Sequence, residues 1–255
     1  MSVPTNLRAQ ELFTRTLSRS LDRWRLVLAL VSMPEAGFPA ARTTVFNNAR
    51  QLLDTLIHRA GQRAQFPPEK VDEISRVVAE QSVEDAKTSI DAACLVFSHS
   101  VLDSAALDYC RTTALACPSD WEPDLEEKRV RLGFMRGRSY EEALLEILEK
   151  HFEQLEKESL LKKTDVLFAR CRPPEGWSRI PGYEFDRARL SELDRLRHDI
   201  IHGDALGKPI PKGSEVVDFL MKTNWHLMSI VGYRYQLAVD PQFLGNYKPI
   251  SNVFL

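Results

Sequence analysis

Long runs in which apolar residues return every three or four positions, closed by prolines, limit what this chain can fold into more than any other feature. Val71, Ile74, Val77 and Val78, then Ala86, Ile90, Ala93, Cys94, Phe97, Val101 and Leu102 keep helical spacing to about Ala116, ahead of Pro118. Within that run Ser82, followed by Glu84 and Asp85, has the pattern of a helix cap with an acidic first turn and predicts a break, giving two helices of which the second is long. An earlier stripe of Leu7, Leu12, Leu17, Leu21, Trp24 and Leu28 runs to Met33, where Pro34, Gly37 and Pro39 predict a stop. Val45, Ala49, Leu52, Leu53, Leu56 and Ile57 make the next helix, to Ala64 before Pro67 and Pro68, and the two are expected to pair as a hairpin.

Ser139 and Glu142 have capping-box spacing and open a helix carried by Leu144, Leu145, Ile147, Leu148, Phe152, Leu155 and Leu160 to about Ala169. Cys171 to Gly182, broken by Pro173, Pro174 and Pro181, is a loop that delivers the chain to a helix with Leu190, Leu193, Leu196 and Ile200, ending near Gly203. A last helix runs from Ser214 through Trp225 to about Leu237. Alternating strand patterns of useful length are missing, so the expectation is an all-α helical bundle. Its expected divisions are an N-terminal helical hairpin or extension over 1–66, a main helical domain over 67–240 and an irregular tail over 241–255.

A chain of 255 residues is long enough to bury roughly 70–75% of its unfolded surface without covalent staples. The net charge of -2 and pI near 6.3 give no overall electrostatic footprint for nucleic acid, so such binding has to come from a local patch. Lys128, Arg129 and Arg131, with Arg136 and Arg138 close behind, form the densest one. The most apolar run, Leu26 to Met33, is short for a spanning helix and too deep for an export signal, which predicts a cytoplasmic protein without a membrane partner. Cys94, Cys110, Cys117 and Cys171 lack paired two-residue spacing and are expected as reduced, buried thiols. Neither a Walker-type glycine loop nor a dinucleotide fingerprint occurs, and no cofactor or metal is expected.

Chemistry concentrates between Arg195 and Asp204, where two arginines, two histidines and two carboxylates stand within ten residues of a chain with six histidines. Imidazole is the side chain best suited to moving protons near neutral pH. Arg197-His198-Asp199-Ile200-Ile201-His202 resembles the signature of the HEPN superfamily (higher eukaryotes and prokaryotes nucleotide-binding): an arginine, a polar follower, then a histidine after four to six residues. Here four intervene, and His198 stands where asparagine is commonest. The helical pattern over about 70–237, with the motif on a late helix, matches as well. The resemblance implies a HEPN-like core and metal-independent RNA cleavage. It also implies a homodimer whose motifs face each other, and a setting of toxin–antitoxin pairs or phage defence with an antitoxin or regulatory protein as partner. Non-catalytic RNA- or nucleotide-binding relatives are the alternative it carries.

For such cleavage a base takes the proton of the ribose 2′-hydroxyl and an acid protonates the departing 5′-oxygen. His202 suits the proton transfer, Arg197 the phosphate clamp, His198 an assisting role and Asp199 a fixing hydrogen bond, while Arg195 joins Lys128, Arg129 and Arg131 as candidate RNA contacts. Five residues apart on a helix, Arg197 and His202 point roughly 140° apart. Either the helix loosens near Gly203 or the two side chains come from different protomers.

His198 and Asp199 also resemble the HD superfamily of metal-dependent phosphohydrolases, for which His99 and Asp218 are the further ligands available. The bland alternative is a solvated face on which Arg195, Arg197, Asp194 and Asp199 pair, for about 0–1 kcal/mol each, with His202 capping a helix end. His58, His151 and His226 lack a second ligand at a useful offset. Ser98, His99, Ser100 and Asp103 suggest a hydrolase triad by type, but consecutive residues diverge on a helix and no glycine turn exposes a serine. Tyr233, Tyr235 and Trp225 are ring types that stack on bases, with Trp225 assigned to the core by its spacing.

Overall fold

Two antiparallel helices, α1 (Leu7–Arg59) and α2 (Pro68–Ala116), organise everything else. At about 1.5 Å per residue each is between about 70 and 80 Å long. Their contacts descend in step: Phe13 lies beside Tyr109, Arg23 donates to Ser104, Arg42 pairs with Glu80, and Arg50 pairs with Asp72. A 3-10 segment (Pro118–Leu125) leads on to α3 (Tyr140–Glu156), α4 (Leu160–Cys171), α5 (Arg187–His202) and α6 (Gly213–Tyr235). The structure, a computed structural model, describes residues 7–59, 67–125, 140–175, 177–205 and 207–239. Among these there is no strand, so the all-α class holds.

The hairpin differs from the expected one. Pro34, Gly37 and Pro39 do not stop α1, so the partner of its first half is α2 and not residues 40–64. An interior proline costs about 3 kcal/mol, but α1 is held against α2 on both sides of the prolines, by Arg23 before them and by Arg42 and Arg50 after. Packing against α2 outweighs the local breaker, chiefly through the buried Phe13, Trp24 and Val27, since exposed ion pairs contribute only about 0–1 kcal/mol each. The same holds for Ser82, which lies inside an unbroken α2. Conversely, the single helix expected to run from 139 to about 169 is two. Ser159 caps α4 by accepting from the Lys162 N–H at 3.2 Å, and the turn at Lys157 and Glu158 ends α3. Ser139, at the start of the expected capping box, and the tail over 241–255 lie outside the described residues.

One buried cluster gathers Phe13, Trp24 and Val27 of α1 with Leu95, Leu102 and Tyr109 of α2, Leu148 and Phe152 of α3, Leu167 of α4, Leu190 and Leu193 of α5, and Leu220, Leu227 and Ile230 of α6. The first half of α1 therefore belongs to the same core as the later helices. One window of α2 is long and apolar enough to cross a membrane by composition, with mean hydropathy 1.3, but half of it is buried inside the protein. The neighbouring helices account for that buried half. Cys94, Cys110 and Cys171 are buried free thiols, and burial pushes the latter two well above the ordinary thiol pKa.

The ends of α6 are tied to both long helices. The Gly213 N–H donates to Asp91 Oδ1 at 2.7 Å, and beyond the other end Gln10 bonds the backbone of Ala238. α6 thus lies along α2 from the level of Asp91 and reaches the 3-10 segment beyond it, where Asp120 accepts from the Tyr235 hydroxyl at 3.0 Å.

Candidate functional site

α5 carries the motif, and both of its ends are closed by their own sequence. Asp186 starts it by accepting from the Arg189 N–H at 2.8 Å. Gly203 ends it in the left-handed region at φ 80, where its N–H reaches the Ile200 carbonyl at 3.3 Å and the Asp204 N–H reaches the Asp199 carbonyl at 2.8 Å. Those two bonds are the paired closure of a Schellman motif. The helix is regular through His202, so the first way of bringing Arg197 and His202 together, a loosened helix end, is not the one this chain takes.

Two of the predicted residues do come together. The His198 and His202 rings lie with centroids 4.2 Å apart at 46°, both on the exposed face. This follows from their four-residue spacing. Arg197 turns the other way: it is half-buried, its charge acts on Asp194, and its Nε is sealed without a partner. Asp199 is engaged by Lys208, Nζ to Oδ2 2.7 Å, which folds the following loop back onto the helix. Arg195 is exposed. Lys128, Arg129 and Arg131 lie outside the described residues.

Beneath the motif runs a polar network that sequence reasoning missed. His99 of α2, its side chain 4% exposed, donates Nε2–H to Asp194 Oδ1 of α5 at 2.7 Å. A carboxylate only accepts, so Nε2 carries the proton. That hydrogen bond first, then the charges of Arg197 and Lys163, hold the Asp194 carboxyl below its ordinary range against the opposing effect of burial. Lys163 of α4, 1% exposed, gives Nζ to Asp103 Oδ1 at 2.7 Å and to the Glu156 carbonyl at 3.1 Å. The sequence offered Asp194, His99 and Asp103 separately and in other roles, and nothing there tied Asp194 to His99 ninety-five positions away.

The set that an HD-type centre needs is dispersed. His99 holds Asp194, Asp218 pairs with Lys222 at 2.7 Å, and Asp199 pairs with Lys208. Among the described residues no three His, Cys, Asp or Glu side chains gather as metal ligands would. Ser98 and Ser100 bond carbonyls of their own helix, Cys94 and Val96, and Asp103 serves Lys163, so no triad forms. His58 is exposed, His151 packs edge-on to Trp121, and His226 is buried. Comparison of the chain with protein-family models, with curated proteins and with solved structures found no match to any of them.

Proposed function

We propose that the protein is a metal-independent endoribonuclease of the HEPN type, acting as a homodimer with RNA as its substrate. The observation that supports this reading is the exposed imidazole pair at the end of α5. Two imidazoles on one face supply the two proton transfers that 2′-hydroxyl attack requires. His202 takes the 2′-hydroxyl proton as the oxygen attacks phosphorus, and His198 in its protonated form gives a proton to the departing 5′-oxygen, leaving a 2′,3′-cyclic phosphate. Arg197 faces away from this pair within its own chain, so its guanidinium reaches the phosphate of the partner's site across a two-fold axis. Arg195 and the basic run Lys128, Arg129 and Arg131 guide the RNA strand. An antitoxin or regulatory partner in the cytoplasm and a toxin or defence role belong to the same proposal.

RNA incubated with the purified protein in excess EDTA tests it. Arg197→Ala and His202→Ala are each expected to abolish cleavage in dimers whose circular dichroism matches the parent. Mixed and re-annealed, the two inactive variants regain about a quarter of parental activity, because half of the dimers are mixed and each mixed dimer holds one intact composite site. Cleavage that survives either substitution sinks the assigned roles, and a mixture that stays dead sinks the composite site. If the protein is a toxin, cells expressing His202→Ala grow where the parent arrests them.

A second reading, a non-catalytic HEPN-like RNA- or nucleotide-binding module, is favoured by the half-buried Arg197 beside Asp194, an arrangement a purely structural arginine also adopts. It predicts RNA retention without turnover under every metal condition.

A further inference from the structure

We propose that the aromatic pocket at the opposite end of α5 binds an organic cation bearing N–H groups, a guanidinium or a protonated amine. The cavity, of about 320 Å³, lies between the end of α4, the loop that follows it and the middle of α6. Its walls are rings held in fixed relation. Phe168 and Phe185 are 4.7 Å apart, Phe185 stacks on His226 at 6.2 Å and 6°, and the Tyr183 hydroxyl is pinned to Thr223 Oγ1 at 2.8 Å. Trp177 lines the mouth and is backed by the exposed ring of Tyr233 at 5.1 Å. Ring faces are the negative ends of aromatic quadrupoles and attract a cation that lies over them.

Three further observations select the ligand. Glu175 and Glu184 line the pocket, are exposed, and make no ion pair among the described residues. Arg172, the cationic side chain in the lining, is turned to its own helix end, where Nε–H donates to the Ala169 carbonyl at 3.4 Å. His226, 2% exposed, is kept neutral by burial, so the interior adds no repelling charge. An N–H cation donates hydrogen bonds to the two exposed carboxylates, which a quaternary ammonium cannot do. A nucleotide stacks on rings equally well but brings its phosphate to a rim with two carboxylates against one arginine, and like charges at close range disfavour it. By helix rise the pocket is about 24 Å from the imidazole pair, so this inference does not rest on the ribonuclease reading.

The test is calorimetric and fluorescence titration of the full chain with ethylguanidinium, tetramethylammonium, AMP and the peptide acetyl-Gly-Arg-Gly-amide. Ethylguanidinium is expected to saturate the site and quench a tryptophan signal that disappears in Trp177→Phe. The double variant Glu175→Gln/Glu184→Gln, both at exposed positions, should keep the parental unfolding midpoint and bind roughly five- to tenfold more weakly. A peptide that binds more tightly than ethylguanidinium identifies the ligand as an arginine side chain of another protein; equal or weaker binding identifies a free small cation. Tetramethylammonium binding as tightly as ethylguanidinium, a preference for AMP, undiminished binding by the double variant, or no saturation by any probe overturns the proposal.

Discussion

Replacing Asp194 by asparagine removes one charge and almost no volume, and it isolates the contact that fastens the motif helix to the core. The carboxylate accepts from His99 Nε2 at 2.7 Å, with the His99 side chain 4% and the Asp194 side chain 22% exposed. A hydrogen bond to a charged group contributes about 1.5–3 kcal/mol, and for a chain of this size about 1 kcal/mol moves the midpoint by about 2–4 °C. The asparagine oxygen still accepts from His99, so Asp194→Asn forfeits only the charge-assisted part, about 1 kcal/mol, and should lower the thermal midpoint by about 2–4 °C. The pH dependence sharpens the test. The hydrogen bond from His99 holds the Asp194 carboxyl below its ordinary value of 3.8, helped by Arg197 and Lys163. A depressed carboxyl contributes stability that is complete above its unfolded pKa and is lost as pH falls through the folded one. Urea unfolding of parent and variant should thus show a constant gap at neutral and mildly acidic pH that begins to close near 3.8 and is gone once pH falls below the depressed folded pKa, where the folded parent carries a neutral carboxyl as well. A gap of under about 0.5 kcal/mol at neutral pH, the range of an ordinary surface change, or one unchanged in acid, refutes the reasoning.

Gly213→Ala puts a Cβ 2.9 Å from Cys94 Cβ and 3.0 Å from Asp91 Oδ1, where α6 is fastened to α2. Urea titration should show a loss of about 1–3 kcal/mol, only part of which Cys94→Ala restores, because the Cys94 Cβ stays in place. At Gly203 the surroundings are open but φ is +80, so Gly203→Ala should cost the backbone strain alone, about 1–2 kcal/mol, and Gly203→Asn less, since asparagine tolerates that region. His226→Phe keeps the ring stacked on Phe185 and deletes a nitrogen without a partner. Burial holds the folded His226 pKa below 6.5, so the unfolded chain takes up a proton first and the parent loses stability as pH falls from 6.5 towards the folded pKa. The variant should lack that slope, which stability measured on both sides of pH 6.5 will show.

The elements that were legible in the sequence are those whose packing partner is dictated by their own periodicity. Leu190 and Leu193 fix the buried side of α5 and Gly203 closes its end by local rules, whereas sequence reasoning missed the Asp186 cap at its start. His198 and His202 meet because four residues make one turn. Where local and tertiary preferences conflict, the local signal misleads. Pro34, Pro39 and Ser82 have the chemistry of breaks, yet each lies within a helix that its antiparallel partner holds together. Ser159 carries the converse lesson: an ordinary cap inside an apolar run is decisive because the chain must turn there to lay α4 against α2, where the Lys163 carbonyl meets Cys110 and the Lys163 ammonium meets Asp103. The His99–Asp194 contact and the aromatic pocket draw on residues far apart in sequence, and no periodicity pairs them.

The orientation of Arg197 follows from the same helix arithmetic that placed the histidines. On a regular α5 whose buried side is set by Leu190 and Leu193, position 197 shares the side of 193 and 190, at steps of four and three, and so faces the core boundary, while 198 and 202 share the outer side. A guanidinium at that boundary needs an anion, and Asp194, one turn earlier on the same side, supplies it. The arrangement that makes Arg197 a poor partner for His202 within one chain is thus built into the spacing between them. Only a different spacing, or a second chain, brings arginine and imidazole to one phosphate.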